Sequence, residues 1–467
     1  MKRLAILMMT LICLTGAVAD PRYIPQIYAA VDVNQASVGV LYYSETGQYL
    51  HGTFRRYYEE NGGTAIFGLP LTPIISDGGL RVQYFERARF EVPVGHDATN
   101  EVLLTRIGAH FVEQLSAEDL ALPPFAGIAN PGGDSLYFAE TGHTISNSFR
   151  DFWQTNGGLR NFGYPLSEDF FQEINGDVVR VQYFERVRLE AHVAHNQVKI
   201  GIGDLGKALL YESPSLAPYT TPMPGLQRVA TSTTSYKGAG VAKQTNIARA
   251  GAMIDGTIVP AGAEFSFLKS SNFVDTDFVE GYGIINGQLS KIIGGGLCQV
   301  STTVFRAASN GGFDITMRVP HTYVVTTYED ILGFDATVLE PTVDFRFVND
   351  SANPLLLVVH NEPENLRFTV EFWGVPDGRT VQYDGPLVSN VTKPGVPIWQ
   401  YDSSMKRGST RQLVIGRGGM KVSYVRTVNR ADGSLLHNDN FLTSYAPWYN
   451  YVVYGPGVVP PAGVRLR

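Results

Sequence analysis

The spacing of apolar residues changes several times along this chain, and each spacing predicts a different element. Leu4 to Leu14 is one apolar run, too short to span a bilayer. Between 40 and 210 the apolar positions come in two matching sets. Thr231 to Tyr236 reads as a strand, Asn246 to Met253 as a helix, Pro260-Ala261-Gly262 as a turn and Phe265-Ser266-Phe267 as a strand. After Cys298, residues Val300, Val304, Ala307 and Ala308 fall at helical spacing, and Gly311-Gly312 predicts the stop. Val343, Phe345 and Phe347 alternate with Asp344, Arg346 and Val348, which predicts a two-faced strand. Thr380 to Val453 reads as strand throughout, with a turn at Asn429 to Gly433, and the residues after Gly457 read as a frayed tail.

The two matching sets are an internal repeat. Glu45-Thr46-Gly47 returns as Glu140-Thr141-Gly142, and Phe67-Gly68-Leu69-Pro70 as Phe162-Gly163-Tyr164-Pro165. Val82-Gln83-Tyr84-Phe85-Glu86-Arg87 returns as Val181-Gln182-Tyr183-Phe184-Glu185-Arg186, followed each time by an Arg and a Glu (Arg89 and Glu91, Arg188 and Glu190). Each copy predicts a helix (Gly52–Asn61, Ser148–Asn156), a Gly-Gly stop, a Gly-x-Pro turn and a pair of strands. The aromatic pairs are expected in the core of such small units. The Glu-Arg pairs read as exposed ion pairs or as contacts to a polymer. Linkers are expected at Leu122 to Gly133 and at Glu212 to Gly225.

Composition narrows the class. Charged residues make up 17% of the 467, while Gly (49) and Pro (26) are plentiful, which fits an ordered, strand-and-turn-rich protein. The formal net charge of −7 argues against a nucleic-acid partner. Lys2 and Arg3, the apolar run and Ala17-Val18-Ala19 form an export signal, expected to be cleaved after residue 19. No later stretch is apolar enough for a transmembrane helix, so an extracytoplasmic, secreted or envelope-associated protein is expected. Cys13 leaves with the signal. Cys298 is then the one remaining thiol, which excludes an internal disulfide.

That thiol sits in Gly294-Gly295-Gly296-Leu297-Cys298-Gln299-Val300-Ser301-Thr302-Thr303. Three glycines allow a sharp turn and close approach. A thiol just inside a helix start faces unpaired N–H groups and the positive end of the dipole, which favours the thiolate. Downstream come Pro320-His321-Thr322-Tyr323 and Phe334-Asp335-Ala336-Thr337-Val338. Cys298 on a helix start, His321 at a strand start and Asp335 on a following strand make a possible nucleophile, base and orienter. N–H groups near Cys298 and Gln299 would supply an oxyanion hole. The same residues admit a structural reading: His321 capping a strand, Asp335 bonding its own backbone, Cys298 merely packed. One Cys, one His and one Asp lack a second spaced pair, so neither metal nor cofactor is expected.

The repeats resemble the LGFP repeats of bacterial cell-wall proteins, which implies contact with the wall polymer. The glycine-cysteine block, with His321-Thr322, Asp335-Ala336-Thr337-Val338 and the strand running into Asn349 and Asn353-Pro354, is similar to the VanW family over residues 229–375. That resemblance implies a bacterial envelope protein of a family that accompanies some glycopeptide-resistance clusters. The expected fold is α+β and multidomain. It comprises a signal peptide (1–19), repeat modules (40–110 and 135–210), a mixed α+β VanW-like domain (229–375) and a β-rich C-terminal module (380–457). Two functions stay open. One is a thiol-dependent amide hydrolase or transferase acting on peptidoglycan peptides through Cys298, His321 and Asp335. The other is a wall-binding protein with a structural Cys298. Either way, Gly294, Gly295, Gly296, Gln299, Ser301, Thr302 and Tyr323 are taken to line the binding groove.

Overall fold

The computed structural model describes residues 39–93, 102–133, 135–145, 147–194, 197–223, 225–270, 278–285 and 288–467. The expected signal peptide, 1–19, lies outside the described residues. No helix among them is long and apolar enough to cross a membrane.

The two repeats carry the same elements in the same order: a short hairpin, a helix (Gly52–Glu60, Asn147–Thr155), a second short helix, an antiparallel four-stranded sheet and a closing helix. The closing helices exchange partners. Ile107–Glu113, after the first sheet, docks on the second repeat, where the Ala109 N–H donates to Glu185 O at 3.0 Å. Leu205–Tyr211, after the second sheet, docks on the first, where the Lys207 N–H donates to Glu86 O at 2.9 Å. Glycine is required at both contacts, because a Cβ on Gly108 or Gly206 would stand 1.9 Å from Phe184 O or 2.3 Å from Phe85 O. The repeats were expected as separate modules, but one apolar core runs through both, from Phe54, Phe85 and Phe90 to Phe149, Phe162 and Phe184. Small units gain stability by pooling cores in this way. The Arg89–Glu91 and Arg188–Glu190 pairs lie largely inside the sheets, so they are not the exposed pairs the pattern suggested.

The expected linker at 212–225 packs against the first repeat, where Gln48 Nε2 donates to the carbonyls of Tyr219 and Thr221, at 3.4 and 3.3 Å. Beyond it, strands Gln227–Ser235, Arg367–Gly374, Leu355–Glu362 and Ile258–Val259 form an antiparallel sheet in that order. Two helices, Val241–Ile254 and Leu297–Asn310, pack against its strands and each other. Val300, Val304, Ala307 and Ala308, at the spacing the sequence shows, meet Phe368, Val370 and Phe372 of the sheet in the core.

The C-terminal region forms two further sheets. In the first, Thr380–Ser389, Met420–Asn429 and Leu435–Tyr445 are antiparallel. A separate module was expected, yet Val422, Tyr424, Phe441 and Tyr445 of this sheet belong to the same core as the cysteine helix. Buried Arg426 ties the two regions, donating to Ser309 O at 3.1 Å and Phe313 O at 2.9 Å while pairing with Asp439. Nor is the end a frayed tail: Arg465–Leu466 pairs in parallel with Gly395–Tyr401.

Candidate active site

The hairpin Glu280–Ile285/Gln288–Ile293 delivers the chain to the three glycines. Gly294 at φ 79° and Gly296 at φ 131° occupy backbone that L side chains avoid, and this brings the chain round into the helix at Leu297. Asn246 of the neighbouring helix holds the turn, donating through Nδ2 to Gly295 O at 3.0 Å and Val279 O at 2.9 Å. Cys298 is thereby fixed in the first turn, half-buried, among the orphan N–H donors of the helix start. The Gln299 N–H donates to Gly296 O at 2.9 Å, so the expected second oxyanion donor is already engaged.

His321 and Asp335 lie on extended loop segments, where strands had been expected. Arg318, Arg306, Ser301 and Thr302 hold these segments with hydrogen bonds in place of a strand ladder. Arg318 donates through Nε to Asp335 O and through Nη2 to Gly333 O, both at 2.7 Å. Arg306 donates through Nε to Phe334 O at 2.8 Å. Ser301 Oγ donates to Ala336 O at 2.7 Å, and the Ala336 N–H donates to Thr302 Oγ1 at 3.2 Å.

Within this frame the structure brings Cys298, His321 and Asp335 together. The His321 N–H donates to Asp335 Oδ2 at 2.9 Å, and the ring Nδ1 bonds the same oxygen. Tyr445, from the C-terminal sheet, donates its hydroxyl to Asp335 Oδ1 at 3.0 Å. With Nδ1 engaged, Nε2 is the ring nitrogen left for the thiol, and the Cys298 and His321 side chains are hydrogen-bonded to each other. The Cys298 Sγ also lies 3.5 Å from Val338 O.

The electrostatics follow from this order. Burial pushes the Cys298 thiol up, but the hydrogen bond and charge of His321 outweigh it, and the net shift is downward. Burial pushes His321 down, yet its bonds to Asp335 and Cys298 raise it to about 10. Burial raises Asp335, and the bond and charge of His321 with the charge of Arg318 bring it to about 2. Both shifts favour a thiolate beside an imidazolium held by a carboxylate.

The residues expected to line the groove divide. Gln299 is buried, with Nε2 donating to Thr234 Oγ1 at 2.9 Å and Ser235 O at 3.1 Å, and Ser301 and Thr302 are also fully buried. Their side chains position the Asp335 segment and do not face a groove. Gly294, Gly295 and Gly296 form the turn, and Tyr323 is half-exposed with its ring 5.2 Å from that of Trp448. Tyr445, Arg318 and Asn246 were not among the expected site residues. Arg318 stands three residues before His321, the one signal by which it was findable. Among the described residues no group of three or more His, Cys, Asp or Glu is arranged to hold a metal.

Comparison with known proteins shows what this part of the chain is similar to. Residues 242–373 match the family model described as VanW like protein. The chain is 27% identical over 252 residues to an uncharacterised protein, YoaR, of Bacillus subtilis (strain 168), covering 48% of this chain and 80% of that one. It is 29% identical over 114 residues to the vancomycin B-type resistance protein VanW of Enterococcus faecalis (strain ATCC 700802 / V583), covering 23% of this chain and 42% of that protein. A solved structure titled HP0197-G5 aligns at 22% identity with 16% of this chain and 97% of its own, but its TM-score of 0.09 carries no argument.

Proposed function

The chain carries a VanW-family domain, and from that premise we propose that it is a thiol-dependent amide hydrolase or transferase acting on cell-wall peptides outside the cytoplasm. The observation that supports this most is the hydrogen-bonded order Cys298, His321, Asp335 at the start of a helix, with the thiol shifted down and the imidazole shifted up. In this reading the thiolate attacks a carbonyl carbon, and the tetrahedral oxyanion is met by the Cys298 N–H and the helix dipole. The C–N bond breaks as His321 gives its proton to the departing amine, leaving a thioester and a neutral imidazole. Neutral His321 then takes a proton from water, for hydrolysis, or from a second amine, for transfer. That nucleophile displaces the thiolate and restores the starting state. Asp335 holds the ring orientation throughout.

Peptidoglycan as the source of the peptide, and the wall contact implied by the LGFP-like repeats, belong to the same proposal. The repeat aromatics do not supply that contact, since Tyr84, Phe85, Tyr183 and Phe184 are all buried. The test is the pH dependence of Cys298 alkylation in the folded protein, with and without His321→Ala. Fast labelling well below the ordinary thiol pKa of about 8.5, lost in the variant, is the expected result. Labelling only after denaturation would sink the nucleophile and leave a wall-binding protein with a structural thiol.

A further inference from the structure

We propose that Lys243 selects the substrate at this site by pairing with a free carboxylate on the acyl group that Cys298 accepts; this rests on the reading of Cys298 as a nucleophile. Lys243 stands in the first turn of the helix Val241–Ile254, which has no acidic residue there. A cation at a helix N-terminus opposes the helix dipole, so this placement does nothing for the helix itself. The same helix grips the glycine turn through Asn246, and a Cβ on Gly296 would stand 3.0 Å from Lys243 O and 3.3 Å from its Cγ. The lysine stem therefore lies against the residue two before the nucleophile.

The ammonium is half-buried and has no ion pair or hydrogen bond among the described residues. Burial pushes it down, and the group that opposes this is Cys298. When ionised, the Cys298 sulfur balances Lys243 as well as His321. Acylation removes that balance. The sulfur becomes a neutral thioester and His321 loses its proton to the amine, so Lys243 faces a site without negative charge. A carboxylate on the departing amine would leave with it. A carboxylate on the acyl group stays, and it pairs with Lys243 before, during and after thioester formation. The geometry thus favours acyl donors with a free carboxylate close to the scissile carbonyl, as in peptides joined through the side-chain carboxyl of an acidic residue.

Two alkylating probes test this without a known substrate. Iodoacetate carries a carboxylate and iodoacetamide does not; both report on the Cys298 thiolate. In the full chain the iodoacetate-to-iodoacetamide rate ratio is expected to exceed that of a small free thiol. It is expected to fall about tenfold in Lys243→Met, the scale of one charge pair at a half-buried site, and to be kept in Lys243→Arg. A ratio unchanged in Lys243→Met, with the two rates steady or falling together, overturns the carboxylate role while leaving a reactive thiol in place. Slow reaction of the wild-type protein with both probes overturns the nucleophile reading itself. Lys243→Gln provides a second neutral variant, with thermal unfolding confirming that each protein is folded.

Discussion

Among the histidines that face aspartates in this molecule, His321 and His51 are shifted in opposite directions. His321 bonds Asp335 through Nδ1 and the Cys298 side chain as well, and its pKa rises to about 10. His51, where the first repeat meets the end of the helix Val241–Ile254, lies 3.6 Å from Asp255, and neither of its ring nitrogens makes a hydrogen bond among the described residues. Burial lowers its pKa, and the charge of Asp255 does not make up the loss. Asp255 has other partners: Arg81 Nη2 donates to it at 3.1 Å and the Val359 N–H at 2.9 Å. A buried His–Asp neighbourhood thus makes a charged pair only where the carboxylate bonds the ring directly. At Asp255, where Arg81 has taken the carboxylate, His51 is left neutral.

The comparison breaks most sharply at the thiol. His321→Ala removes the charge that holds Cys298 down, and its alkylation rate at pH 6.5 is expected to fall by up to about 100-fold, the limit set by an ordinary thiol pKa of about 8.5. Stopped-flow labelling reads this. In the wild type, labelling should rise at a pH below the ordinary thiol range and hold until His321 deprotonates near pH 10. Asp335→Asn keeps the shape but removes the charge. The His321 pKa should drop, and thiol reactivity at pH 7 is expected to decline about tenfold, with histidine titration by NMR as the check.

Arg81→Met moves the other pair towards the first. Asp255 loses its guanidinium partner, His51 becomes the nearest cation available, and the His51 pKa should rise. In the wild type a depressed His51 pKa contributes stability that is present above about pH 6.5 and lost as pH falls. In the variant the sign reverses: the pair is charged below pH 6.5 and its contribution is lost on raising the pH. Unfolding at pH 8 should show a loss of about 2–3 kcal/mol, narrowing at pH 5.5. The smallest effect is expected for Tyr445→Phe, which removes one hydrogen bond to Asp335 and leaves the Gly333 N–H without its acceptor. About 1–2 kcal/mol of stability and a few-fold drop in thiol reactivity are the expected outcomes.

What the sequence by itself determined lies close together along the chain. The glycine turn, the helix after it, the thiol at its first turn and the matched elements of the repeats all follow from neighbours a few residues apart, where backbone freedom and side-chain period are decisive. Cys298, His321 and Asp335 were legible as candidates for the same reason: each sits in a short, distinctive block. The tertiary structure decided the rest. Asp335 gains its bond from Tyr445 across 110 residues, and no local pattern marks a strand tyrosine as part of a site. Ser301, Thr302 and Gln299 read as ligand contacts because they flank the thiol, yet the helix turns their side chains inward, where burial demands partners and the Ala336 and Ser235 backbones supply them. The exchanged helices of the repeats and the core shared with the C-terminal sheet were hidden for a related reason. Apolar faces reveal that they will be buried, but only the folded chain shows against what.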